Sequence, residues 1–347
     1  MKSIDKFRGC LVGGAAGDAL GYAVEFKNED QIFSQYGPRG ITEYELTGKV
    51  AQISDDTQMT LFTAKGILLA PAPGKNDRIL GEYRVYVARA YADWLLTQNY
   101  DYPIDTSVIA TYTDLINVPE LFSRRAPGVT CMKAIASGDI GTVEDPINDS
   151  KGCGGVMRVA PVGMYFGKEL LVPTDKADIV GAHVAAITHG NQLGYIPAAV
   201  MAHMIRRIIH EDADIVDSVL TGMEMVKRMF PGAYKMPYFE ELIGKALYLA
   251  ERESDDLAAI HALGEGWVAE EALAIAIYCA AKYPNDIDSA LIAAVNHGGD
   301  SDSTGSITGN IVGARVGLSG IPEKYLEKLE LRDLIIGTAD EMFKYGL

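Results

Sequence analysis

Residues 56–70 read Asp-Thr-Gln-Met-Thr-Leu-Phe-Thr-Ala-Lys-Gly-Ile-Leu-Leu-Ala. Apolar side chains recur there at the three- and four-residue intervals of a helix face, and Pro71 and Pro73 end the run. The same period returns further along. Residues 80–97 set Tyr83, Val87, Tyr91, Trp94 and Leu95 on one face. Helical patterns follow at 176–188, 193–210, 213–229, 238–251, 268–282, 286–296, 304–317 and 322–345. The Ala-rich run from Ala269 to Ala281 suits close helix packing. Extended structure has one weak signal, the alternation Gly-Ile-Thr-Glu-Tyr-Glu-Leu at 40–46. The stretch 138–155 is loop-like, with Gly138, Gly141, Pro146, Gly152, Gly154 and Gly155. No Gly/Ser/Pro linker divides the chain and no repeat appears. These patterns predict an all-α fold, one compact multi-helix domain over residues 1–347, with Gly- and Asp-rich loops at some helix ends.

The chain has 347 residues, 48% of them hydrophobic, which is enough for a substantial core. Lys plus Arg total 31 and Asp plus Glu 47, so the net charge is 31 − 47 = −16. That balance argues against nucleic-acid and anionic-membrane partners, which need a cationic footprint. It suits a protein that concentrates cations. Cys10, Cys131, Cys153 and Cys279 form no CxxC pair and read as reduced thiols of a cytoplasmic protein. No apolar run of about 18 residues is present, so no membrane span is expected. Lys2, Lys6 and Arg8 ahead of Cys10–Ala16 imitate a short secretory leader, but Asp5 interrupts the basic stretch and Asp18 follows closely.

Three acidic clusters stand out: Asp18 to Glu25, Ser54-Asp55-Asp56-Thr57, and Asp300-Ser301-Asp302-Ser303-Thr304. The last two share adjacent carboxylates and hydroxyls just before a helix. Ser and Asp there are also good N-caps, and Asp55 with Gln58 has capping-box spacing. Two such clusters in one chain point beyond capping. Packed carboxylates repel and raise one another's pKa unless a cation lies between them, and an all-oxygen donor set favours a hard ion. Asp300 to Gly305 opens like an EF-hand, but position twelve is Ile311 where a bidentate Glu is required. Lys151 to Arg158 is a Gly-rich loop whose amides suit phosphate, although a plain turn is the ordinary reading of such a stretch, and it lacks the Lys-Ser/Thr of a Walker loop. His183, His203, His210 and His261 have no metal spacing and read as structural.

Together these motifs resemble the ADP-ribosylglycohydrolase family, the type that includes dinitrogenase reductase-activating glycohydrolase. The matching pieces run in order: Gly13-Gly14-Ala15-Ala16-Gly17-Asp18-Ala19-Leu20-Gly21 with Glu25, Ser54 to Met59, Gly152 to Pro161, Thr188-His189, and Gly298 to Ser303 with the trailing Gly305, Gly309 and Gly313. The similarity covers nearly the whole chain. Ser54 and Ser303 stand where the family more often has Thr, each keeping a hydroxyl oxygen.

The resemblance implies an all-α fold with two Mg²⁺ or Mn²⁺ ions in a cleft. Their ligands would be Ser54, Asp55, Asp56, Asp300, Asp302 and Ser303, with Glu25 beside them as ligand or acid/base. Glu25, Asp55 and Asp302 would serve catalysis. Gly152, Cys153, Gly154, Gly155, Val156 and Met157 would hold the ADP-ribose phosphates and distal ribose, and His189 would contact the ligand. The implied activity is hydrolytic removal of ADP-ribose from a protein side chain, arginine-type linkages favoured, or from a related small conjugate, by a monomer. A non-catalytic ADP-ribose or metal-binding module, and a metal-dependent hydrolase of another nucleotide derivative, are the alternatives. Residues 98–130 carry no assignment.

Overall fold

The computed structural model describes residues 3–70, 80–167 and 174–346. Among them are fifteen α-helices and no strand, so the all-α expectation holds. The first five are α1 (Ile4–Tyr22), α2 (Glu29–Tyr36), α3 (Asp55–Leu69), α4 (Leu80–Asn99) and α5 (Val129–Ala136). The next five are α6 (Ala160–Tyr165), α7 (Thr174–Ala186), α8 (Gln192–Glu211), α9 (Ile215–Met229) and α10 (Met236–Arg252). The last five are α11 (Asp256–Leu263), α12 (Ala269–Lys282), α13 (Ile287–Val295), α14 (Ser301–Val316) and α15 (Arg332–Tyr345).

Two helices set the architecture. α1 and α14 run antiparallel with their backbones in contact. Gly9 faces Gly313, Gly13 faces Gly309, Gly17 faces Gly305, and Gly21 faces Ser301. A Cβ on any of these α1 glycines would collide with a carbonyl oxygen of α14. Close approach is what the four-residue glycine spacing makes possible. Around this pair α12 packs on α8, α10, α13 and α14, and its alanines admit all four neighbours. The buried apolar side chains form one contiguous cluster.

Several expectations need correction. Helix α1, buried from Gly9 to Gly21, forms where no helical pattern was expected. Residues 40–46 form no strand. The run 322–345 is broken at Leu331, which has φ 55°. There Ala51 donates to Lys328 O at 2.8 Å and Glu330 donates to Ala51 O at 3.1 Å, holding the chain extended before α15 begins. Helices α2, α5, α6 and α11 lie outside the expected helical patterns. α3 ends at Leu69, and Pro71 and Pro73 lie outside the described residues. The capping-box pairing of Asp55 with Gln58 does not form. Ser54 is the cap of α3, while the Gln58 amide donates to Ser123 O and accepts from Trp94 and Gln98.

Candidate metal centre

The backbone fit of α1 on α14 carries the C-terminal turn of α1 to the start of α14. Glu25 thereby meets Asp300 and Asp302. The start of α3 enters from a third direction with Asp55 and Asp56. One ligand oxygen each from Glu25, Asp300 and Asp302 lies within 4.8 Å of the others, and the same holds for Asp55, Asp56 and Asp302. Asp302 belongs to both triads. All five carboxylates are buried.

The surroundings fix these side chains. Asp18, on α1, accepts from Ser54 N at 2.9 Å, from Thr57 N at 3.0 Å and from the Thr57 hydroxyl, so it pins the first turn of α3. Asp55 accepts from Gly128 N at 3.1 Å and donates its own amide to Arg125 O at 3.2 Å. Arg125 makes a buried two-pronged pair with Glu330 and donates to Ile53 O at 2.9 Å. The Ser303 hydroxyl donates to Asp56 at 3.3 Å. Ser54 accepts from Asp56 N at 3.3 Å and is fully buried.

Burial, and then the charge of Asp302, raises the carboxyls. Asp18 is pushed up to about 7. Burial followed by Asp302, Asp300 and Asp55 pushes Glu25 up to about 11. Asp55, Asp56 and Asp300 are held well above the ordinary carboxyl range by burial and then Asp302. Glu25 Oε2 and Asp56 Oδ1 are buried without a hydrogen-bond partner. Unpartnered buried oxygens among mutually repelling carboxylates are costly unless a cation or protons compensate. The donors are all oxygen, with no Cys or His in either triad, so the residues fit a hard divalent ion.

The triads sit on the wall of a cleft of about 560 Å³. Gly152, Cys153, Gly154, Met157 and His189 also line it, whereas Gly155 and Val156 are buried behind that wall. The loop is less free than a phosphate cradle requires. Cys153 N donates to Trp267 O at 3.2 Å, and Val156 N and Met157 N donate to Cys153 O. Three of its amides are thus committed to carbonyls. A Cβ on Gly154 would stand 2.8 Å from Cys131 Sγ and 3.0 Å from His189 Cε1. The glycine makes room for those two side chains.

His189 is held by a relay. Arg158, fully buried and 4.4 Å above the Tyr91 ring, donates to Thr188 Oγ1 at 2.6 Å. That hydroxyl lies 2.8 Å from His189 Nδ1. Burial and then Arg158 hold His189 down to about 3, so its ring is neutral at physiological pH. His203 lies 2.7 Å from Asp178, and His210 lies 2.9 Å from Met164 O.

The sequence did not single out Asp18 or the Arg125–Glu330 brace as supports. It also left residues 98–130 unassigned, yet Arg124 to Cys131 supply one side of the cleft, and Phe26 and Trp267 add to its wall. All four cysteines are free. Among the described residues no helix is long and apolar enough to cross a membrane.

The ADP-ribosylglycohydrolase family model matches residues 1–346. ADP-ribosylhydrolase ARH3 of Mus musculus is 24% identical over 95% of this chain and 88% of its own. The ADP-ribosyl-[dinitrogen reductase] glycohydrolase of Rhodospirillum rubrum is 24% identical, covering 94% of this chain and 91% of its own. ADP-ribosylarginine hydrolase Tri1 of Serratia proteamaculans is 25% identical over 99% and 80%. A solved ADP-ribosylglycohydrolase-related protein complex superposes with a TM-score of 0.62 at 21% identity over 99% of each chain, which shows a shared fold. A match along essentially the full length, to a family with the same helical architecture, settles the assignment: this chain belongs to the ADP-ribosylglycohydrolase family, enzymes that hydrolytically remove ADP-ribose.

Proposed function

We propose that the cleft hydrolyses the bond between ADP-ribose and an arginine side chain of a modified protein, with two Mg²⁺ or Mn²⁺ ions held by the acidic cluster. The observation that carries this is the pair of carboxylate triads sharing Asp302. Glu25, Asp300 and Asp302 would hold one ion and Asp55, Asp56 and Asp302 the other, with Ser54 and Ser303 contributing hydroxyl oxygen. Bound ions would anchor the ribose hydroxyls and polarise a water. The arginine linkage is favoured by the names of relatives, one an ADP-ribosylarginine hydrolase.

In the overall reaction water oxygen bonds to the anomeric carbon, the carbon–nitrogen bond breaks, and the departing guanidine nitrogen takes up a proton. Glu25 Oε2, buried and unpartnered, is suited to holding that proton. Cleavage of a glycosidic bond builds positive charge at the anomeric carbon, which the surrounding carboxylates favour. His189, kept neutral, offers the ligand's diphosphate a donor without adding a formal charge. The glycines at 152 and 154 leave room for the His189 ring beside the ligand. Residues 1–347 act as one domain and a cytoplasmic monomer in this reading; one contiguous core and four free thiols accord with the domain and the compartment.

Release of ADP-ribose from an ADP-ribosylarginine peptide tests it. Chelation should abolish release, and Mg²⁺ or Mn²⁺ should restore it. Undiminished turnover in excess EDTA would refute the metal role.

A further inference from the structure

We infer that Phe26 and Trp267 form the leaving-group subsite of the cleft, a pair of stacked rings that receives the planar guanidinium of the modified arginine. This rests on the function proposed above. Both residues line the cleft. Their ring centroids are 6.5 Å apart and the planes differ by 19°. Phe26 is 74% exposed and Trp267 40%, so neither ring is needed for the core.

Their positions are built. Phe26 directly follows Glu25 in the turn closing α1, where Val24 N donates to Gly21 O and Lys27 N to Val24 O, both at 2.8 Å. Trp267 sits on a tight loop with Gly264 and Gly266 at positive φ. That loop is clamped from three sides. Asp300 N donates to Glu265 O at 2.8 Å, Cys153 N donates to Trp267 O at 3.2 Å, and the Glu271 carboxylate accepts from Glu265 N at 3.0 Å. Two large apolar rings thus stand in solvent beside the carboxylate triads, on backbone that these hydrogen bonds hold. Isolated exposed rings are ordinary, but a stacked pair fixed in the wall of an acidic cleft calls for a ligand.

The chemistry of that ligand follows from place and charge. The reacting carbon must come to Glu25, so the group next to Glu25 meets what leaves. Adenine lies at the far end of the ligand, beyond two phosphates and a ribose. A guanidinium is planar, cationic and weakly hydrated, and it stacks on aromatic faces. An oxygen-linked serine offers neither the plane nor the charge.

The test compares the unmutated enzyme, Phe26→Ala/Trp267→Ala and Phe26→Tyr/Trp267→Phe on arginine-linked and serine-linked ADP-ribosyl peptides. ADP-ribose affinity is measured by calorimetry with Mn²⁺ present, and melting checks the fold. We expect the double alanine variant to raise KM for the arginine-linked peptide about tenfold or more, and the aromatic replacements to restore it. Affinity for free ADP-ribose should stay within about twofold. An unchanged KM would overturn the subsite, as would a parallel loss of ADP-ribose affinity, which would make the rings a base platform. If the unmutated enzyme cleaved only the serine-linked peptide, both the subsite and the arginine linkage would fall. Failure to cleave either peptide would sink the underlying function instead.

Discussion

Asp18 and Glu25 show how burial writes pH dependence into the fold. Their carboxyls ionise near 4 in an unfolded chain but are raised to about 7 and about 11 in the metal-free fold. The folded state therefore binds more protons than the unfolded one between those limits. Stability is full below the unfolded value and is lost as pH rises through the folded values. In EDTA, the urea midpoint should fall from pH 5.5 to pH 8.5. With Mn²⁺ the fall should shrink, because a bound cation takes the place of the protons. A metal-free protein equally stable at both values would contradict the buried-acid account. Asp55, Asp56, Asp300 and Asp302 were legible in the sequence because doubled acids beside hydroxyls exceed what a cap requires. Asp18 as a brace was not, since its partners Ser54 and Thr57 lie 36 and 39 residues away.

At the scale of elements, the α1–α14 contact positions Glu25 against Asp302, and its glycines cannot be enlarged. Gly17→Ala would drive a methyl group into Gly305 O, a backbone atom with nowhere to go. Overpacking commonly costs about 1–3 kcal/mol, and the rigid partner puts this case at about 3 kcal/mol or more. Urea unfolding measures it; a change below about 1 kcal/mol would mean that the helices separate easily. The helix at 56–70 could be read from its dense apolar spacing and good helix formers, although it is buried on every side from Asp55 to Ile67. α1 was missed because its glycines, recurring at Gly9, Gly13, Gly17 and Gly21, argue against a helix in local terms. α15 was read too long because the Glu330–Arg125 pair and the Ala51 hydrogen bonds override local helix preference. The Gly152–Met157 loop was located, but its committed amides were invisible without the Trp267 carbonyl and the turn at Cys153. Gly154→Val should still weaken ADP-ribose binding at least about tenfold, now because the side chain displaces His189 and Cys131. Calorimetry showing unchanged affinity would remove the loop from the binding site.

The whole molecule carries a net charge of −16, and it gathers five buried carboxylates in one cleft. A fold that concentrates negative charge in this way gains stability from any cation that binds the native state alone. The all-α architecture was legible from helical periodicity, whereas the meeting of three distant acidic segments followed from the family's motif order and not from spacing. The proposed function turns on Asp302, the carboxylate common to both triads, which would serve two divalent ions. Titration of metal-free protein with Mn²⁺, read by paramagnetic resonance, tests it most directly. Two tightly bound ions per chain are expected, with loss of tight binding at both positions in Asp302→Asn and helix content unchanged. Two ions retained by Asp302→Asn, or none taken by the unmutated protein, would contradict it.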